Sequence, residues 1–396
     1  MKFYKKKLKN GMTILFEKRD LPIISIALAT RFGSGYEKEH EKGIAHFIEH
    51  MLFKGTQKRS SRQIIEEIDE KGGEYNAFTA KSVTSAWIRI PSKHLEFSIE
   101  LLSDMFYNSQ FNKEEMEKER GAIIEEINMY HDTPMRHVFE ELNKLMFEKP
   151  FGLPALGSKE SLNSFSREDL IKKYKENYFA ENFVLVVVGK ADFKEITALA
   201  EKYFSKSGKS KNNHLEIPKK KSGHFNEERE GLDQTHLAFG LHFPSLSDKE
   251  RYSAKIFSTI FAEGSASKIY QEVREKRGLA YAVLGMLDQE SNYGQELIYI
   301  GTLKDRLEEV KKIILEEVKK MKEIKDIEKT KQKLIDSKIL EREDSRNVLQ
   351  ELLFEEISGN SEDYYNYEEN LKKVKLVDVH KLANPENFSF VSLTSK

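Results

Sequence analysis

The chain of 396 residues contains no cysteine. That excludes disulfides, thiolate nucleophiles and thiolate-held metal, so a bound metal would have to rest on histidine and carboxylate. Net charge is almost absent, with 65 Lys and Arg against 66 Asp and Glu, which argues against nucleic acid or another polyanion as partner. Long apolar runs are missing too. The longest, FVLVVVG at 183–189, falls far short of the roughly 20 residues that span a bilayer, so no membrane association is expected. The opening MKFYKKKLKNGMTILF has lysines but neither an apolar core nor a small-residue cleavage site, so no signal peptide is expected. A strand pattern begins almost at once, which argues against a transit peptide, and the expected compartment is the cytoplasm.

What is present is 39% hydrophobic and 33% charged residues, a soluble globular composition with a heavily charged surface. The length suggests two to three domains. Abundant Lys and Glu without Cys fit a heat-adapted protein, and equally an A/T-rich genome.

The segment FSKSGKSKNNHLEIPKKKSG at 204–223 is rich in Lys, Ser, Asn and Gly and reads as a solvated linker. The expected division is a domain at 1–208, a linker at 209–222 and a second domain at 223–396. On either side the same order recurs. In the first half ISIALATRF (24–32) reads as a strand, followed by helical stretches around 43–54 and 61–71 that end at Gly72 and Gly73. NAFTAKSVTSAWIRIP then supplies strands, and LEFSIELLSDMF has helical apolar spacing. In the second half THLAFGLHF (235–243) is the strand, ERYSAKIFSTIF and SKIYQEVREK the helices, with strands around LAYAVLGMLDQ and QELIYIGTL after Gly278. Strands and helices in blocks predict an α+β fold of two homologous domains, each a mostly antiparallel sheet with helices packed on it.

Within GIAHFIEHMLFKGT (43–56) two histidines flank a glutamate in an apolar run. On a helix His46 and His50 lie about 40° apart and Glu49 roughly 60° to the other side of His46. A lone histidine on an apolar face is ordinarily a satisfied core residue. Three ligand-type side chains on one face would be costly to bury without a partner. The two imidazoles can hold a divalent zinc ion, leaving Glu49 beside it as a base for water. At an offset of 209 the second half places Lys255, Ser258 and Thr259 opposite His46, Glu49 and His50. The apolar positions persist and the polar ones do not, so the chemistry belongs to the first copy. A third ligand is sought in NKEEMEKERGAIIEEINMYHD (112–132). Glu119 and Glu126 share one stripe there, Glu125 points elsewhere, and His131 and His137 compete.

HFIEH resembles the inverted zinc motif of the pitrilysin family, which includes insulysin and the mitochondrial processing peptidases. GIAHFIEHMLFKGT is similar to the short, bacterial and processing-peptidase branch, and EKERGAIIEEI to the segment carrying that family's third ligand, with Glu126 seventy-six residues beyond His50. The resemblance implies one Zn2+ per chain on His46, His50 and Glu126, Glu49 as general base, and Glu119 supporting a ligand histidine. GGEYNAFT resembles the family's edge strand, so Asn76, Ala77, Phe78 and Thr79 would flank substrate. PFGLPALGSKESLNSFSREDL is similar to the connecting segment, with Lys149 where many members have histidine. VREKRGLAYAV resembles the second domain's signature, in which Arg274 and Tyr281 would reach the substrate backbone.

The implied activity is that of a zinc metalloendopeptidase acting on unfolded peptide substrates inside a chamber. Longer relatives close four such domains into one, which implies that two of these chains pair. A homodimer is expected, with a heterodimer with an inactive paralogue as the other arrangement. The competing expectations are a non-catalytic processing-type subunit and a metal-dependent hydrolase of non-peptide substrates.

Overall fold

A computed structural model describes residues 2–205, 208, 215–384 and 386–396. The fold is α+β and the chain forms two compact units. The first comprises Met1–Ile127, Pro154–Glu216 and Glu341–Ile357, the second Asn128–Leu153, Ile217–Leu340 and Ser358–Lys396. These units differ from a cut at 209–222 because each contains one helical segment from the other half of the sequence. Residues 209–214 of the expected linker lie outside the described residues.

In the first unit six strands form one sheet: β1 (Lys2–Lys7), β2 (Thr13–Lys18), β3 (Ile23–Thr30), β4 (Glu74–Thr79), β5 (Thr84–Pro91) and β6 (Phe183–Gly189). Their order is β1-β2-β6-β3-β5-β4, and only β2 and β6 run parallel. The central strands are apolar on both faces because both faces are covered. Ile24, Ile26 and Leu28 of β3 join the core formed with α1 (Ile44–Leu52), α2 (Ser61–Asp69) and α3 (Leu95–Asn108). The alternate residues Ser25, Ala27 and Ala29 are small and buried. On that face the helix Ser345–Ile357 packs against β3 and β6, with the Ser25 and Ser345 hydroxyls 2.7 Å apart. The next helix along the chain, α4 (Lys113–Asp132), starts at Asn112, whose Oδ1 accepts from the Glu114 backbone N–H at 2.9 Å. The Ser166–Asp169 capping box opens the helix Arg167–Asn177.

In the second unit β7 (Gly223–Arg229), β8 (Thr235–Phe243), β9 (Ala280–Glu290), β10 (Tyr293–Thr302) and β11 (Phe388–Ser395) are ordered β7-β11-β8-β10-β9. Again only one pair, β7 with β11, is parallel. One face packs on the helices Arg251–Phe261 and Leu307–Lys320. The other is covered by α5 (Pro134–Met146), whose Val138, Leu142 and Met146 cluster with Ala238, Leu297 and Tyr299. The order β2-β6-β3-β5-β4 is repeated as β7-β11-β8-β10-β9, so the internal duplication read from the sequence is present in the topology. The edge strand β4 of the first sheet corresponds to the edge strand β9 of the second.

Candidate metal centre

Helix α1 begins at Gly43, whose φ of 95° puts it in the left-handed region. No N-cap side chain satisfies its first turn. The Glu37 carboxylate does so instead, accepting from Gly43 N–H at 3.2 Å and Ala45 N–H at 2.8 Å. Glu37 also faces the Lys42 ammonium at 3.6 Å, and both side chains are buried. The apolar residues Ile44, Phe47, Ile48, Met51 and Leu52 fix the inner face of α1 in the core. His46, Glu49 and His50 are left along the margin that faces α4 and β4.

The three predicted ligands converge. One ligand atom from each of His46, His50 and Glu126 lies within 4.8 Å of the other two, and among the described residues no other such group of three occurs. Glu126 Oε2 stands 3.7 Å from His46 Nε2 and 3.8 Å from His50 Nε2. Ligands about 2.0–2.1 Å from a tetrahedral zinc are roughly 3.4 Å apart, so small shifts would close the set. Burial, then the neighbouring His50, pushes His46 down to about 3, which keeps its imidazole neutral, the form that binds a cation. His46 Nδ1 is buried without a hydrogen-bond partner. This chemistry fits a divalent metal.

Glu119 lies two turns before Glu126 on the same stripe of α4. Its Oε2 is 2.9 Å from His50 Nδ1, and its Oε1 accepts from Lys54 Nζ at 2.7 Å. Burial alone would raise its carboxyl, but the hydrogen bonds from His50 and Lys54 hold it below the ordinary value. It therefore fixes the imidazole ring and leaves Nε2 pointing toward Glu126. Lys54 carries no signal in the sequence beyond its position four residues after His50.

Glu49 is 8% exposed. Thr79 Oγ1, at the end of β4, donates to its Oε2 at 2.5 Å. Burial pushes the Glu49 carboxyl up to about 7 against the pull of Thr79 and His50. A group with its pKa near neutrality is suited to taking and returning a proton. Beside it a cavity of about 370 Å³ opens between α1, α2 and β4, lined by Phe53, Ile65, Tyr75 and Ala77 as well as Glu49 and His50.

The segment Asn76 to Thr79 lies on an edge strand, paired among the described residues only with β5. Its side chains alternate. Ala77 and Thr79 face α1, whereas the Phe78 ring stacks on Phe354 of the Ser345–Ile357 helix at 6.0 Å. The apolar cavity next to Glu49 is therefore built by Phe53, Ile65 and Tyr75, which sequence reading did not single out.

The competing histidines are elsewhere. His137 Nε2 is 2.6 Å from Glu227 Oε2, and His131 contacts Asp132 and Arg229, all in the second unit. Arg274 and Tyr281 also belong to the second unit, Arg274 in the helical turn Tyr270–Glu275 and Tyr281 on β9. The positions matching the metal set in the second copy carry an ion pair, Lys255 Nζ to Glu263 Oε1 at 2.9 Å, with Ser258 and Thr259 hydroxyls donating to the same carboxylate.

Residues 13–159 match the family described as Insulinase (Peptidase family M16), and residues 164–334 match Peptidase M16 inactive domain. An uncharacterized zinc protease of Rickettsia bellii is 36% identical over 320 residues, which cover 80% of this chain and 77% of the relative. The chain belongs to peptidase family M16. Another relative, an uncharacterized zinc protease of Bacillus subtilis, is 31% identical over 87% of each chain. The M16 fold is matched by the crystal structure of a protease from Helicobacter pylori, with a TM-score of 0.91 at 20% identity over 99% of both chains. A Pseudomonas fluorescens structure titled as a peptidase M16 inactive domain superposes with a TM-score of 0.90 at 18% identity, covering 100% of this chain and 98% of that one. Among the described residues no helix is long and apolar enough to cross a membrane.

Proposed function

We propose that this M16 member is a zinc-dependent endopeptidase that hydrolyses internal bonds of unfolded peptides. The observation that carries the reading is the convergence of His46, His50 and Glu126 within 4.8 Å next to a buried carboxylate at the end of an open sheet edge. When bound, zinc supplies Lewis acidity to a carbonyl and lowers the pKa of water toward ~7.

The chain's own groups do the rest. A peptide adds as a strand along β4, whose outer edge has unpaired backbone groups. One of its side chains enters the apolar cavity of Phe53, Ile65 and Tyr75. Glu49 takes the proton of the attacking water and returns it to the leaving amine, held in place meanwhile by Thr79. Glu119 keeps the His50 ring aligned. Arg274 and Tyr281 contact the substrate backbone and donate to the oxygen that gains charge. Two copies pair to enclose the peptide, and gel filtration of the purified chain reads that step.

A non-catalytic subunit is the second reading, since the description matched by 164–334 contains the words inactive domain. All the proposed metal-site residues fall instead in the segment 13–159 that matches the insulinase description, which favours a catalytic first half. The test is cleavage of a quenched peptide, abolished by a chelator and restored by zinc. Glu49→Gln should retain zinc and lose turnover by about 10²–10⁴-fold. Activity within a factor of two of the parent would remove Glu49 as the base.

A further inference from the structure

Two backbone irregularities sit close together in the second unit. The turn Tyr270–Glu275 is a π-helix, with Lys276 N–H bonded to the Gln271 carbonyl five residues back at 2.9 Å. Such turns are rare and concentrate at functional sites. A few residues on, the β9–β10 ladder slips. Gly301 pairs with Ala282 but Thr302 pairs with Ala280, so Tyr281 is the extra residue of a β-bulge. The bulge is pinned by Thr302 Oγ1, which donates to the buried Leu279 carbonyl at 2.6 Å. Bulges of this kind re-aim a side chain.

The re-aimed ring has a prepared seat. Tyr281 lies across Gly301, where an added Cβ would meet its Cε1, Cζ and Oη at 2.3, 2.4 and 2.5 Å. Burial, then the neighbouring Tyr281 phenol, raises the Tyr299 hydroxyl above its ordinary value, and Tyr299 precedes Gly301 by two residues and so shares its face of β10. The Tyr299 hydroxyl is in turn 2.8 Å from His236 Nδ1, and His236 is the residue directly opposite Gly301 on β8. Tyr299 and His236 are 7% and 9% exposed, while Tyr281 remains 49% exposed. An exposed tyrosine of no consequence needs no such seat, and glycine inside a strand is destabilising relative to alanine.

We propose that Gly301, Tyr299 and His236 are positioning residues that hold the Tyr281 phenol in one orientation toward bound substrate. The inference rests on the reading of Tyr281 given above. In the proposed arrangement His236 Nδ1–H donates to the Tyr299 oxygen, the Tyr299 O–H turns to the Tyr281 oxygen, and the Tyr281 proton is left for a substrate carbonyl oxygen. Without Tyr299 the phenol can turn and offer that proton to water.

The experiment compares Tyr281→Phe, Tyr299→Phe, Gly301→Ala and the double variant Tyr281→Phe/Tyr299→Phe in the zinc-loaded chain. It measures kcat and KM on a quenched peptide and zinc affinity by chelator competition. Tyr281→Phe should lower kcat by about 10²-fold or more. Tyr299→Phe and Gly301→Ala should each lower it by about tenfold with zinc affinity unchanged. Tyr299→Phe should have no further effect in the Tyr281→Phe background, a non-additivity that a merely structural residue would not show. Parental kcat in Tyr299→Phe, or an equal loss in both backgrounds, overturns the positioning role while leaving Tyr281 in place. An unaffected Tyr281→Phe variant overturns the reading of Tyr281 itself. If Gly301→Ala fails to fold, the Tyr299→Phe cycle decides alone.

Discussion

Alanine at Gly43 is the sharpest test of how α1 is held where its polar side chains converge. Gly43 adopts φ 95°, and the new Cβ would lie 2.5 Å from the Leu156 carbonyl oxygen and 3.0 Å from Gly157 Cα. An L-residue in the left-handed region costs about 1–2 kcal/mol. The overlap is with backbone, so no side chain can swing aside, and overpacking of this kind adds about 1–3 kcal/mol. A loss of about 3 kcal/mol should lower the melting temperature of the metal-free chain by roughly 6–12 °C. The sign discriminates, because Gly→Ala at a compatible site stabilises by about 0.4–1 kcal/mol. Displacement of the helix start also shifts His46, three residues on, relative to Glu126, and the zinc dissociation constant should rise by about tenfold. Calorimetry of the metal-free chain and chelator competition read the two effects separately. A melting temperature within about 2 °C of the parent would mean that the loop at Leu156 yields freely, and the account of a rigidly seated α1 would fail.

Two further outcomes follow from the same geometry. Glu119→Gln keeps an acceptor for His50 Nδ1 but removes its charge and strands Lys54, which now bonds it at 2.7 Å; chelator competition should show zinc binding weakened by about 10–100-fold. Thr79→Val removes the hydroxyl donated to Glu49 at 2.5 Å, so steady-state assays should show kcat reduced by about tenfold with zinc affinity unchanged.

The parts of this molecule that sequence reading reached are those where chemistry is local. His46, Glu49 and His50 sit on nine residues of helix, and helical periodicity alone places them together. Glu119 and Glu126 share a stripe of α4 for the same reason, although only the resemblance picked Glu126 over His131 and His137. Antiparallel sheets and the duplicated order were legible because apolar runs such as those of β3 and β8 recur with the same punctuation. The exchange of helices was not. Ser345–Ile357 has a mixed surface pattern, and what ties it to the first sheet is the run of small residues at Ser25, Ala27 and Ala29, more than 300 positions away in the case of the Ser25–Ser345 contact. Nor does periodicity disclose the slipped register at Tyr281 or the π-turn at Tyr270–Glu275, since both depend on one extra residue accommodated by a partner strand or turn. Strand alternation sends Phe78 to the face opposite Thr79, where it stacks on Phe354.

The two copies differ at the positions proposed to hold the metal. In both units a helix carries polar residues at equivalent positions against an edge strand and its neighbour. In the first, His46, His50 and Glu126 bring two imidazoles and a carboxyl group together with no Lys or Arg among the three. In the second, Lys255 supplies an ammonium directly, and Glu263 accepts from it at 2.9 Å and from Ser258 and Thr259 at 3.1 Å each. Glu296 of β10, fully buried close by, has its carboxyl pushed well up by burial and then drawn back by Ser258, so it adds no charge. The polar groups of that copy are paired with one another, whereas those of the first are the ones proposed to take a metal ion. On the proposed reading, a fold repeated in this way keeps its architecture in the paired copy and its chemistry in the other.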